Sequence, residues 1–155
     1  MPAGLPGVIT VAAADITHDA TKAFPWSWSN YGQCVDIWAP GVEIESASPD
    51  CFECTAIYSG TSQATPLVSG LIASHLSANA ADDPEAVKKA LQENAAVNVL
   101  EVLGHPYDTT VNFFAQVTPL PASRARAQDC AERAQRSAVF FSYFGYTGST
   151  PRMMV

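Results

Sequence analysis

Basic side chains are scarce: eight lysines and arginines stand against fifteen acids, and a net charge of −7 repels a phosphate backbone and argues against nucleic acid as a partner. No apolar run approaches the ~20 residues needed to cross a bilayer, so no membrane span is expected. The stretch from Met1 to Ala14 has no basic segment ahead of its apolar residues, and no signal peptide is visible. Cysteine is sparse as well. Cys34, Cys51, Cys54 and Cys130 suffice for one or two bridges but not for a disulfide-dense miniprotein, and the count leaves the compartment open.

What is present is apolar material for a core, 48% of 155 residues, which suits one domain. The few basic residues are unevenly placed. From Pro121 onward five arginines face only Asp129 and Glu132, a local excess of +3 that leaves −10 on the rest of a chain of net −7.

Short strands come first and helices afterwards. The β-branched run at 8–11 reads as a strand after the Pro6-Gly7 turn, and a loop with Pro25, Trp26 and Trp28 follows. Residues 34–38 read as a second strand closed by Ala39-Pro40-Gly41, with further short strands at 42–46 and 55–58. From Ala64, apolar residues at 67, 68, 71, 72 and 76 keep helical spacing on a broad face, so this helix is expected to be largely buried. A second helix opens at Asp82-Asp83-Pro84-Glu85, where an aspartate cap, an early proline and an acid suit an N-terminus, and it ends near Asn94. A turn at Gly104-His105-Pro106, a β-branched piece at 109–111 and an amphipathic helix beyond Pro121 that Gly145 stops complete the reading.

Chemistry concentrates in Gly60-Thr61-Ser62-Gln63-Ala64-Thr65-Pro66, where a strand gives way to the first helix. A serine at such a turn can be a helix cap, its hydroxyl satisfying a free N–H. It can equally be a nucleophile, because the free amides and positive dipole end there stabilise an oxyanion, and a glycine before it leaves room for a substrate backbone.

Two motifs weigh on that choice. Ser29-Asn30-Tyr31-Gly32-Gln33-Cys34-Val35-Asp36-Ile37-Trp38-Ala39-Pro40-Gly41 precedes Ser59-Gly60-Thr61-Ser62-Gln63-Ala64-Thr65-Pro66-Leu67-Val68-Ser69-Gly70. In order and separation they resemble the C-terminal half of a subtilisin-like serine protease (peptidase S8) of the proteinase K branch, over roughly residues 6–115. The resemblance implies an α/β fold, a parallel sheet with packed helices, over residues 1–118, with residues 119–155 as an additional helical tail. It also implies a serine endopeptidase with Ser62 as nucleophile, Gly60 and Thr61 beside the oxyanion, a peptide or protein substrate, and a secreted or extracellular setting.

The family's aspartate, histidine and oxyanion asparagine precede the serine in chain order, and their places fall before or at Met1. His18, His75 and His105 match none of them. This chain is therefore expected to be inactive alone, as part of a longer protease; the alternative is a protease-derived binding or structural module without catalysis. Gln63 and Leu67 depart from the methionine and histidine that most active relatives carry there.

By the same resemblance one Ca²⁺ would be held by Asp36 and the backbone carbonyls of Pro6 and Val8, oxygen ligands that suit this ion. Otherwise Asp36 is an acid paired with a backbone amide or with solvent. Cys51-Phe52-Glu53-Cys54 is weak as a zinc or redox motif and reads as a loop disulfide or two free thiols. Cys34 matches a position that pairs upstream in some secreted relatives. The tail, with Phe140, Phe141, Tyr143, Phe144 and Tyr146, is a solvated helix, a docking element for a protein partner, or a segment without structure of its own.

Overall fold

Ladder pairing begins at Val11 rather than at Val8. In the computed structural model, which describes residues 2–18, 21–101, 107 and 109–117, β1 is Val11–Asp15 and its parallel partner β3 is Ile37–Pro40. Val8 is exposed, and the Thr10 amide bonds to the Asp36 side chain, so the chain enters the sheet only where β3 starts. The alanines at 12, 13 and 14, poor strand formers by propensity, are fully buried in β1, and burial decides the matter.

The second strand is displaced in the same direction. Val35 donates to the Gly32 carbonyl at 3.1 Å, so the expected start of that strand is a turn, and the strand runs on through Pro40. Proline is tolerated at this strand end, where the next residue, Gly41, supplies the amide that bonds to the Ala14 carbonyl at 3.0 Å. Inside the expected aromatic loop, β2 (Phe24–Pro25) pairs antiparallel with β1. The two later short strands appear as β4 (Ile44–Ala47) and β5 (Thr55–Tyr58).

The described residues divide into two compact units, one made of 2–43 and 58–116, the other containing 44–57. In the first, a five-stranded mixed sheet has the order β2-β1-β3-β7-β6, with β6 at Ala96–Val97 and β7 at Phe113–Phe114. The β-branched piece at 109–111 is not a strand: Thr110 closes a turn onto the Tyr107 carbonyl, and the Val111 carbonyl accepts the Trp38 indole N–H at 2.7 Å. In the second unit β4 and β5 form a two-stranded sheet whose loop carries a Cys51–Cys54 disulfide. Cys34 is a free, exposed thiol.

Alternation along β1 and β3 buries both faces of the sheet. Val11, Ala13, Ile37 and Ala39 face one cluster with Ala64 and Val68, while Ala12, Ala14 and Trp38 face another with Ala23, Val35 and Leu100. The first cluster is covered by α1 (Thr61–Ala78) and by Leu91 of α2 (Pro84–Glu93). Helix α1 starts three residues earlier than its apolar pattern and is not largely buried: Ala64 and Val68 are, whereas Thr65, Pro66, Ser69 and Ala73 are exposed. One stripe suffices to cover a sheet face of alanines. Helix α2 begins as expected, with the Asp83 carboxylate accepting the Ala86 amide at 2.8 Å and Pro84 next in line. No helix among the described residues is long and apolar enough to cross a membrane. The expected Gly104-His105-Pro106 turn, the helix beyond Pro121, Cys130 and the aromatic tail lie outside the described residues.

One buried polar side chain joins the aromatic loop to the sheet. Ser29, 5% exposed, accepts the Ala13 amide through Oγ at 2.9 Å and donates to the Asn30 carbonyl. Removing the hydroxyl would leave a buried central-strand amide without an acceptor. Ser29→Ala should therefore cost about 1–3 kcal/mol of unfolding free energy, read as a lower urea midpoint; an unchanged midpoint would show that the amide has another acceptor.

Candidate active site

Two glycines set the position of Ser62. At the end of β3 the Gly41 carbonyl accepts the Gly60 amide at 2.7 Å, the bond that brings the incoming chain to the start of α1. Gly41 has no room for a side chain, since a Cβ would stand 2.5 Å from Ala13 Cβ and 2.8 Å from the Gly60 carbonyl oxygen. Nearby, the Ser59 hydroxyl accepts the amide of Glu43, which lies in left-handed backbone at φ 54°. Position 60 is extended, and its Cβ would meet only the movable end of Gln63 at 2.9 Å.

Ser62 is the second residue of the helix and is exposed. The capping alternative does not hold: the cap position is Gly60, no side chain caps the helix, and the Ser62 hydroxyl has no hydrogen-bond partner among the described residues. The Gln63 and Ala64 amides both turn back to the Gly60 carbonyl, at 3.1 and 3.2 Å. That leaves the Thr61 and Ser62 amides without an acceptor among the described residues, at the positive end of an 18-residue helix. Pro66, inside the helix, lacks the N–H that would bond to the Ser62 carbonyl. A free hydroxyl beside free amide donors at the carboxyl ends of parallel strands can attack a carbonyl and stabilise the resulting oxyanion.

The histidines are elsewhere. His75 lies on the same helix, thirteen residues from Ser62, or about 20 Å along the axis. Its Nε2 is 2.7 Å from Asp82 Oδ2, and its backbone carbonyl accepts the Asn79 side chain, so it ties the end of α1 to the turn before α2. His18 is 78% exposed with Nε2 3.4 Å from Asp15 Oδ2. His105 lies outside the described residues.

The one side chain among the expected calcium ligands, Asp36, is already engaged. Asp36 Oδ2 accepts the Thr10 amide at 2.8 Å, and Oδ1 is 2.6 Å from Lys88 Nζ, an ammonium in the position a metal would need. Among the described residues no three His, Cys, Asp or Glu side chains could hold a metal. As the structure stands, the Asp36 carboxylate is matched to a lysine ammonium and a backbone amide. Lys88 was not singled out by its sequence context, where it is one polar residue of an exposed-looking helix; its spacing of four from Gln92 is the signal that both reach one partner.

The described residues thus form a mixed α/β unit that presents an exposed serine at a helix start above parallel strands. The comparisons narrow this. The peptidase S8 profile, described as Subtilase family, matches residues 1–142, and the chain belongs to that family. It is 35% identical over 122 residues to rat (Rattus norvegicus) proprotein convertase subtilisin/kexin type 9, covering 79% of this chain and 18% of that protein. Among solved structures it is similar to a cold-adapted subtilisin-like serine proteinase, with TM-score 0.63, 33% identity, and 73% and 37% of the two chains covered. Sphericase is also similar, with TM-score 0.63, 28% identity, and 76% and 42% covered. The chain thus spans less than half the length of each.

If the glycine contact seats the helix start, Gly41→Ala should be far more damaging than a surface glycine change. We expect a loss of about 1–3 kcal/mol by overpacking, measured by urea unfolding, with Gly4→Ala in open space as the control. Equal effects of the two substitutions would contradict the close approach.

Proposed function

We propose that this chain is the nucleophile-bearing, C-terminal half of a proteinase K-like serine endopeptidase, with Ser62 forming the acyl-enzyme and its own amide serving as one oxyanion donor. The single observation that carries the reading is the exposed Ser62 hydroxyl, which, like the two amides beside it at the start of α1, has no hydrogen-bond partner among the described residues. Gly60 and Thr61 line the approach, the glycine leaving the substrate backbone room on that side. The general base and its orienting aspartate are read as coming from outside these residues, since in the family both precede the serine in chain order and His75 is engaged with Asp82 thirteen residues along α1. By itself the chain therefore binds or presents but does not hydrolyse. The substrate is a peptide or protein. A closed Cys51–Cys54 bridge supports an oxidising, extracellular setting.

A fluorophosphonate probe separates this from the non-catalytic module. The chain alone should remain unlabelled; joined to, or refolded with, the N-terminal half of a close relative, it should label at Ser62 and lose the label in Ser62→Ala. Stoichiometric labelling of the chain alone would mean that a base lies within it. A well-folded complemented form that never labels would favour the binding module.

A further inference from the structure

Lys88 and Gln92 stand one turn apart on α2 and reach the same residue of the sheet. Lys88 Nζ lies 2.6 Å from Asp36 Oδ1, and Gln92 Nε2 donates to the Asp36 carbonyl at 3.3 Å. On the other side, Asp36 Oδ2 accepts the Thr10 amide at 2.8 Å, and the Asp36 amide donates to the Thr10 carbonyl at 2.9 Å. Both carboxylate oxygens, the N–H and the C=O of Asp36 are therefore all engaged. The pair is shielded, with the Asp36 side chain 14% and the Lys88 side chain 29% exposed, so salt and water weaken it less than an open surface bridge.

A calcium ion needs carboxylate and carbonyl oxygens at about 2.3–2.6 Å, and it would have to displace a cation already in contact with the carboxylate. We propose that Lys88 is a built-in counter-ion for Asp36, the one side chain that the family resemblance would give to calcium, so that α2 rather than a metal fastens the start of β1 to β3. The chemistry of Ser62 has no part in this. Sequence separation makes the device effective: two contacts of one carboxylate tie residues 10, 36 and 88 across the chain.

The test uses the whole chain, melted in EDTA and in millimolar calcium chloride, with calcium binding followed by calorimetry. The wild type and Lys88→Arg should melt at the same temperature in both solutions and give no binding heat. Lys88→Met should melt several degrees lower in EDTA and regain part of the loss in calcium, because the carboxylate is freed for a metal. If Lys88→Met folds only with calcium, the same conclusion follows. Wild-type binding of calcium below millimolar, or a wild-type Tm raised by it, overturns the proposal whatever the variants do. A Lys88→Met protein that melts like the wild type, or that is destabilised yet indifferent to calcium, also overturns it.

Discussion

The backbone bond from Gly60 to Gly41 is the contact on which the rest of the site depends. It joins the end of a buried parallel strand to the first turn of α1, and it forms because Gly41 brings no Cβ into the gap and Ala13 beneath is small. From that bond follow the direction of the helix, the burial of Ala64 and Val68 on the sheet, and the outward placement of Ser62 on the next residue but one. A serine hydroxyl two residues from a fixed point, with the helix cap made by the backbone, is left free of any structural bond. Two amides are free with it. The geometry thus sets two backbone donors and an exposed hydroxyl side by side.

Two polar fastenings hold the strands beneath that point. Ser29 satisfies the outward amide of Ala13, and Asp36 satisfies Thr10 while drawing Lys88 and Gln92 of α2 onto the start of β3. Each places a buried or half-buried polar group against a fully specified partner, the condition under which such groups order a core instead of weakening it. The sheet is built largely of alanine at β1, which yields little apolar area per residue; close approach and these fixed bonds take over part of the ordering that larger side chains supply elsewhere.

Much of this was readable in the chain itself. Asp83-Pro84-Glu85 announces the start of α2 by local chemistry alone, and the strand Thr55–Tyr58 has the bounds its β-branched and aromatic residues suggest. The motif around Ser62 carried the fold and the family. Strand registers were not readable, because β1 runs through three alanines whose place is set by the partner strand and by the helix above, not by their own preference. The exposure of α1 was misjudged for a related reason: its apolar spacing describes a face wide enough to bury, but the sheet offers only a stripe. For Lys88 the spacing from Gln92 shows a shared face of α2 but not the partner, which lies 52 residues earlier in the chain.

Amide hydrogen exchange at Gly60 tests the central claim most directly, because that one N–H makes the bond that orients the helix start. The account expects it to exchange as slowly as the amides of Val11–Asp15 and of Ile37, Trp38 and Ala39 in the sheet, while the neighbouring Thr61 and Ser62 amides exchange rapidly. Rapid exchange at Gly60, level with that of Thr61 and Ser62, would contradict it and would mean that Ser62 is not held over the strands at all.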